Sequence, residues 1–160
     1  MTARDVSHLR RLILKGTGLA ALIGLGQIGF ELPAAKAAEK YPEDAFKQKS
    51  DADAIKALYG RSADASDQVK LDAPEIAENG GVVPISVMTT LPGVTSISFV
   101  VSENPNALAA SYVISEGTVP SVANRLKMAK TSNVIAIVEA NGKLYSATKE
   151  VKVTVGGCGG

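Results

Sequence analysis

The chain has 160 residues, 46% of them hydrophobic, and 17 Lys and Arg against 16 Asp and Glu, which suits one domain with a single core. So even a charge balance, with no polybasic run, leaves no electrostatic footprint for nucleic acid or an anionic membrane surface. One cysteine and one histidine exclude a disulfide within the chain and every multi-cysteine metal cage.

Residues 8–37 read HLRRLILKGTGLAALIGLGQIGFELPAAKA. A basic start with paired Arg10 and Arg11 is followed by an uncharged apolar run at 16–30 and by Ala35-Lys36-Ala37, an A-x-A site. That order is the layout of an export signal, and the run is too short and glycine-rich for a membrane span. RRLILK resembles a twin-arginine signal, the bacterial type that exports folded proteins, with Leu9 in place of the usual Ser or Thr and Ile13 in place of Phe. The expected division is therefore 1–37 as signal, 38–155 as the folded domain and 156–160 as a C-terminal arm, with the mature protein in the periplasm.

Cleavage after Ala37 removes Arg4, Arg10, Arg11, Lys15 and Lys36 with Asp5 and Glu31, so that +17 and −16 become +12 and −14. His8 leaves as well. Without histidine, Ser-His-Asp and Cys-His catalysis and any His-ligated metal or haem site are excluded. The mature chain is expected to be no enzyme on its own and to hold no metal or cofactor.

Residues 41–60, YPEDAFKQKSDADAIKALYG, predict one or two short helices. Pro42 suits a first helical position, Glu43 and Asp44 complement a helix N-terminus, and Ser50 with Asp53 resembles a capping box. Ala54, Ile55, Leu58 and Tyr59 form an apolar stripe that Gly60 ends, so this segment is expected to pack on the main body.

From Val69 onward the pattern has period two. Segments 82–89, 95–102, 110–115, 134–140 and 143–155 are rich in Val, Ile, Ser, Thr and Tyr and are broken by Pro, Gly and Asn, which predicts short strands. Asn141-Gly142 is a two-residue hairpin signal, because both central positions of a type I′ turn need positive φ. Segment 121–130 is ambiguous: Leu126 and Met128 alternate with Arg125 and Lys127, which fits a strand, while Val122, Leu126 and Ala129 fit a helix almost as well. Seven or so short strands with antiparallel turns predict a mainly β fold, an immunoglobulin-like antiparallel β-sandwich with a short N-terminal helical segment. Parallel pairing is not expected, since no long helical crossover is present. Arg125, Lys127 and Lys130 are read as the solvated face of a strand and Met88 and Met128 as core filler. With so few aromatic side chains, no tight small-molecule site is expected.

The chain finishes Val153-Thr154-Val155-Gly156-Gly157-Cys158-Gly159-Gly160. Four glycines deny Cys158 any neighbouring side chain, so this arm is expected to be mobile on a rigid strand. Three residues from Val155 span about 10 Å when extended, enough to carry the thiol into a narrow pocket of another protein. No histidine or lysine lies near Cys158 in sequence, and the terminal carboxylate opposes thiolate formation, so activation has to come from a partner. In an oxidising compartment a leftover cysteine pairs with another chain or serves as a reactive thiol. A thiol enzyme would need a cation or helix N-terminus beside the cysteine and a resolving thiol, and neither is visible. A covalent carrier and an exported interaction module dimerised through a Cys158 disulfide are the two readings left.

The terminal GGCGG at 156–160, the twin-arginine-like signal, the internal APEIAENGGVVPISV at 73–87 and ATKEVKVTVGGCGG at 147–160 together resemble the SoxY family, the sulfur-carrier subunits of the bacterial Sox thiosulfate-oxidising system. The resemblance implies that Cys158 is the site of covalent sulfur attachment and that Gly156, Gly157, Gly159 and Gly160 supply flexibility and clearance. It implies a heterodimer with a SoxZ-like subunit and a cycle on the carrier thiol. A c-type cytochrome conjugates thiosulfate, a dimanganese hydrolase releases sulfate, and in some systems a sulfane dehydrogenase oxidises the remaining sulfur. Residues 73–87 are otherwise an ordinary connection, with turns at Pro74 and Asn79-Gly80-Gly81 before a strand at Val82.

Overall fold

In the computed structural model residues 41–156 are described. The expected export signal at 1–37 lies outside them, as do Gly157, Cys158, Gly159 and Gly160. Among the described residues two helices come first, α1 (Glu43–Phe46) and α2 (Asp51–Tyr59). Pro42 takes the N-cap place of α1, one residue before the first helical position. Ser50 caps α2: its hydroxyl oxygen accepts from the Asp53 amide at 3.1 Å and its proton goes to the Asp53 carboxylate at 2.8 Å. Gly60 closes the helix in the left-handed conformation, with its amide donating to the Lys56 carbonyl.

Nine strands follow: β1 (Asp64–Ala65), β2 (Val69–Asp72), β3 (Ile76–Asn79), β4 (Val83–Thr89), β5 (Val94–Val101), β6 (Leu108–Val113), β7 (Ser121–Leu126), β8 (Ser132–Ala140) and β9 (Lys143–Val155). They form an immunoglobulin-like sandwich of two sheets, a large one ordered β1-β9-β8-β5-β6 with β3 joined to the far half of β9, and a small one ordered β2-β4-β7. Asn141 and Gly142 both take positive φ, 49° and 71°, in the β8–β9 hairpin, as the type I′ turn requires. The ambiguous 121–130 segment is a strand over Ser121–Leu126, paired along its length with β4.

The expectation of no parallel pairing is wrong: β1 and β3 both pair parallel with β9, at Asp64↔Tyr145 and at Asn79↔Val155. A helical crossover is one way to return a strand in the same direction. Here the whole sandwich between β3 and β9 does that work.

The core between the sheets takes alternate residues of each strand: Val83, Ile85 and Val87 from β4 face Ile97, Phe99 and Val101 of β5 and Val134, Ala136 and Val138 of β8. Each such side chain, fully withdrawn from water, contributes about 1.5–3 kcal/mol. The opposite face of the large sheet is buried too, since Val100, Leu108, Ile137 and Leu144 pack with Ala45 and Ala54 of the helices and with Ile55, Leu58 and Tyr59. β8 is consequently buried on both faces along most of its length. Tyr59 also fastens α2 by hydrogen bonds between its hydroxyl and Ser96 Oγ at 3.1 Å and Ser98 Oγ at 2.7 Å, and burial there raises the phenol above its ordinary pKa.

Candidate functional site

The candidate site is the place where β9 delivers the C-terminal arm. β9 is 13 residues long, and its two halves have different neighbours. The first half lies between β8 and β1, while the second half has β3 on one side. Antiparallel pairing with β8 stops at Ser132↔Val151. Beyond it the other edge of β9 meets the segment between β7 and β8, where the Val153 amide donates to Thr131 Oγ1 at 2.9 Å.

The last turns of the strand are held from both sides. Thr154 Oγ1 donates to the Glu78 carbonyl at 2.8 Å, and the Val155 carbonyl accepts from the Gly80 amide at 2.8 Å. The Gly80 carbonyl in turn accepts from the Met128 amide at 2.7 Å, so one residue of the β3–β4 turn bridges the strand end and the β7–β8 connection. That turn has its own brace, because the Gly81 amide donates to Asn79 Oδ1 at 2.7 Å. Met128 is completely buried and pins the connection to the core.

Of the five residues assigned to the arm, only Gly156 is described; it is exposed, yet its backbone passes close to the β7–β8 connection. A Cβ built on it would stand against the Ala129 carbonyl oxygen, inside the 3.0 Å that real Cβ atoms keep, with the carbonyl carbon at 3.4 Å. Glycine is therefore required at 156 by a close backbone approach, a reason different from the flexibility the sequence suggests. The sequence gives no sign of this approach, because Ala129 lies 27 positions away and nothing in its own pattern marks it. β3 is missed for a related reason: only Ala77 of its four residues is buried, so no alternation shows.

Arg125, Lys127 and Lys130 are all exposed, in keeping with a solvated face. Lys130 pairs with Glu103 at 2.7 Å, with both side chains more than half exposed, a pair worth about 0–1 kcal/mol. Met128 is core, as expected, but Met88 is not: it is 55% exposed. It stands at an outward position of β4, whose buried residues are the alternate ones, Val83, Ile85, Val87 and Thr89. Around the strand end Val155 is 64% exposed and Val82 55% exposed.

The described groups at this place are backbone amides and carbonyls, the hydroxyls of Thr131 and Thr154, and the amide of Asn104. Such groups hold and aim a chain; they do not react.

A family model described as sulfur oxidation protein SoxY matches residues 55–158, a span that runs from α2 to the cysteine itself. Among solved structures, the sulfur carrier protein SoxY from Chlorobium limicola f thiosulfatophilum is 44% identical, with a TM-score of 0.59, over 65% of this chain and 96% of that one. A superoxide reductase (neelaredoxin) from Ignicoccus hospitalis is 21% identical, with a TM-score of 0.49, over 54% of this chain and 80% of that one. No curated protein matches the sequence.

Proposed function

The chain belongs to the SoxY family of sulfur oxidation proteins, and from that premise we propose that it is a covalent sulfur carrier whose attachment site is Cys158. The observation that carries the reading is the firmly held end of β9. Hydrogen bonds on both edges hold the chain as far as Val155, three residues before its only cysteine, and Gly156 then passes close to the Ala129 carbonyl. A carrier needs one nucleophile, a known point of departure and no competing chemistry.

The proposed cycle begins with the Cys158 thiolate and thiosulfate. A bond forms between the cysteine sulfur and the outer sulfur of thiosulfate, and the two electrons released pass to a c-type cytochrome, leaving an S-thiosulfonate. A hydrolase then adds water across the bond between the sulfane and sulfonate sulfurs. Sulfate and two protons leave, and a persulfide remains on Cys158 for a sulfane dehydrogenase or a further round. The carrier supplies the sulfur atom to which everything is attached and each enzyme supplies the activation, since no cation neighbours Cys158 in sequence to lower its pKa.

The site of action is the periplasm, reached through the Arg10-Arg11 signal. Export in the folded state suits a heterodimer with a SoxZ-like subunit that has no signal of its own, because the two leave together. Turnover in a reconstituted system tests the proposal. Cys158→Ala is expected to reduce thiosulfate-dependent cytochrome reduction to background while leaving Tm within about 1 °C, because a side chain beyond the last strand contributes little burial. Retained turnover would contradict it.

A further inference from the structure

We infer that Asn104, in the β5–β6 loop, is a positioning residue for the carrier arm, acting through a backbone socket in which Ala129 receives Gly156. The inference rests on the carrier reading above and concerns where the arm starts.

Asn104 lies more than 50 residues from the arm, yet its side-chain amide is a two-point bracket on the segment that touches the arm's base. Its Nδ2 donates to the Lys127 carbonyl at 2.8 Å and its Oδ1 accepts from the Ala129 amide at 2.9 Å. Between those two bonds the Met128 amide donates to the Gly80 carbonyl, and the Met128 side chain is buried. Three successive residues are thus fixed, the outer two by Asn104. The next backbone group along, the Ala129 carbonyl, is the one against which Gly156 rests. An amide side chain suits this, since it presents a donor and an acceptor on one short planar group. Asn104 is itself held by its amide, which donates to the Val101 carbonyl at 3.2 Å.

Such a socket makes the arm shorter and better aimed. If the Ala129 carbonyl confines Gly156, two residues separate the anchor from Cys158 and the reach is about 7 Å; with Val155, the last residue held by a hydrogen bond, as the anchor it is about 10 Å. For tethers of these two lengths the accessible volume differs by a factor of about three, and the effective concentration of the attached group at an enzyme entrance by the same factor. Asn104 would therefore act on delivery of the cysteine and leave its reactivity alone.

The test compares Asn104→Ala, Gly156→Ala and the double variant in the complete mature chain with its partner subunit. Three quantities are measured: kcat/KM with the thiosulfate-conjugating cytochrome of the source cells, the alkylation rate of Cys158 with iodoacetamide, and amide hydrogen exchange. Both single variants are expected to lose at least threefold in kcat/KM and to keep their alkylation rate. The Met128 and Ala129 amides should lose protection in Asn104→Ala. The double variant should be no worse than the poorer single, because both substitutions break one contact. Unchanged kcat/KM in the single variants, or losses that multiply in the double, would overturn the inference. Should Asn104→Ala fail to fold, Gly156→Ala at the strand's end still decides between these outcomes. Failure of the carrier reading is separately visible, because the native chain would then accept no sulfur, and the inference would fall with it.

Discussion

Gly156 and Tyr59 show how differently single residues disclose themselves. The terminal glycines advertise freedom, but Gly157, Gly159 and Gly160 lie outside the described residues. At Gly156 the neighbour is Ala129, and a contact formed by the tertiary fold leaves no trace in the local pattern. Tyr59 was legible as part of an apolar stripe, but its hydroxyl partners, Ser96 and Ser98 on β5, were not. Burial raises the Tyr59 pKa above 10.0, which fixes the sign of its effect. The folded chain keeps a proton that the unfolded chain has lost, so this contribution is complete below pH 10 and disappears as pH rises from about 10 through the folded value. Tyr59→Phe should lower stability by about 1 kcal/mol at pH 7 through the missing hydrogen bonds and should flatten the decline in stability above pH 10. Denaturant unfolding of both proteins between pH 7 and 11 checks this, and an equally steep alkaline decline in the variant would count against it.

Elements with a strong local signature were readable from residues alone. The Ser50 cap, the Gly60 stop, the Asn141-Gly142 turn and the five strands with Val and Ile on alternate positions all appear within two residues of expectation. Removing the cap in Ser50→Ala should cost about 1 kcal/mol, measurable as a lower urea midpoint at unchanged slope; no shift would mean that packing of α2 on the large sheet holds the helix start without it. The elements that escaped are those whose stabilisation is borrowed. β1 has two residues, both exposed, and β3 has one buried side chain. Each exists because β9 offers a free edge for backbone hydrogen bonding. The 121–130 segment was undecided for the same kind of reason, since its pattern permitted two periods and the register with β4 chose one.

At the scale of the molecule, the sandwich and its helical cover place one long strand where it is paired with β1, β3 and β8, and that strand carries the arm. The fold class followed from strand spacing and turn chemistry. The parallel pairings did not, because they join segments more than 70 residues apart. Export is a property of the whole chain too: changing Arg10 and Arg11 together to Lys should leave the protein in the cytoplasm, as cell fractionation would reveal, and normal export would contradict the twin-arginine assignment. The carrier reading itself is tested most directly on Cys158. Mass spectrometry of the C-terminal peptide is done on chain purified without reductant from cells oxidising thiosulfate. It should show Cys158 bearing thiosulfonate and persulfide sulfur; a C-terminal peptide found only as free thiol or as a disulfide between two chains would contradict the account.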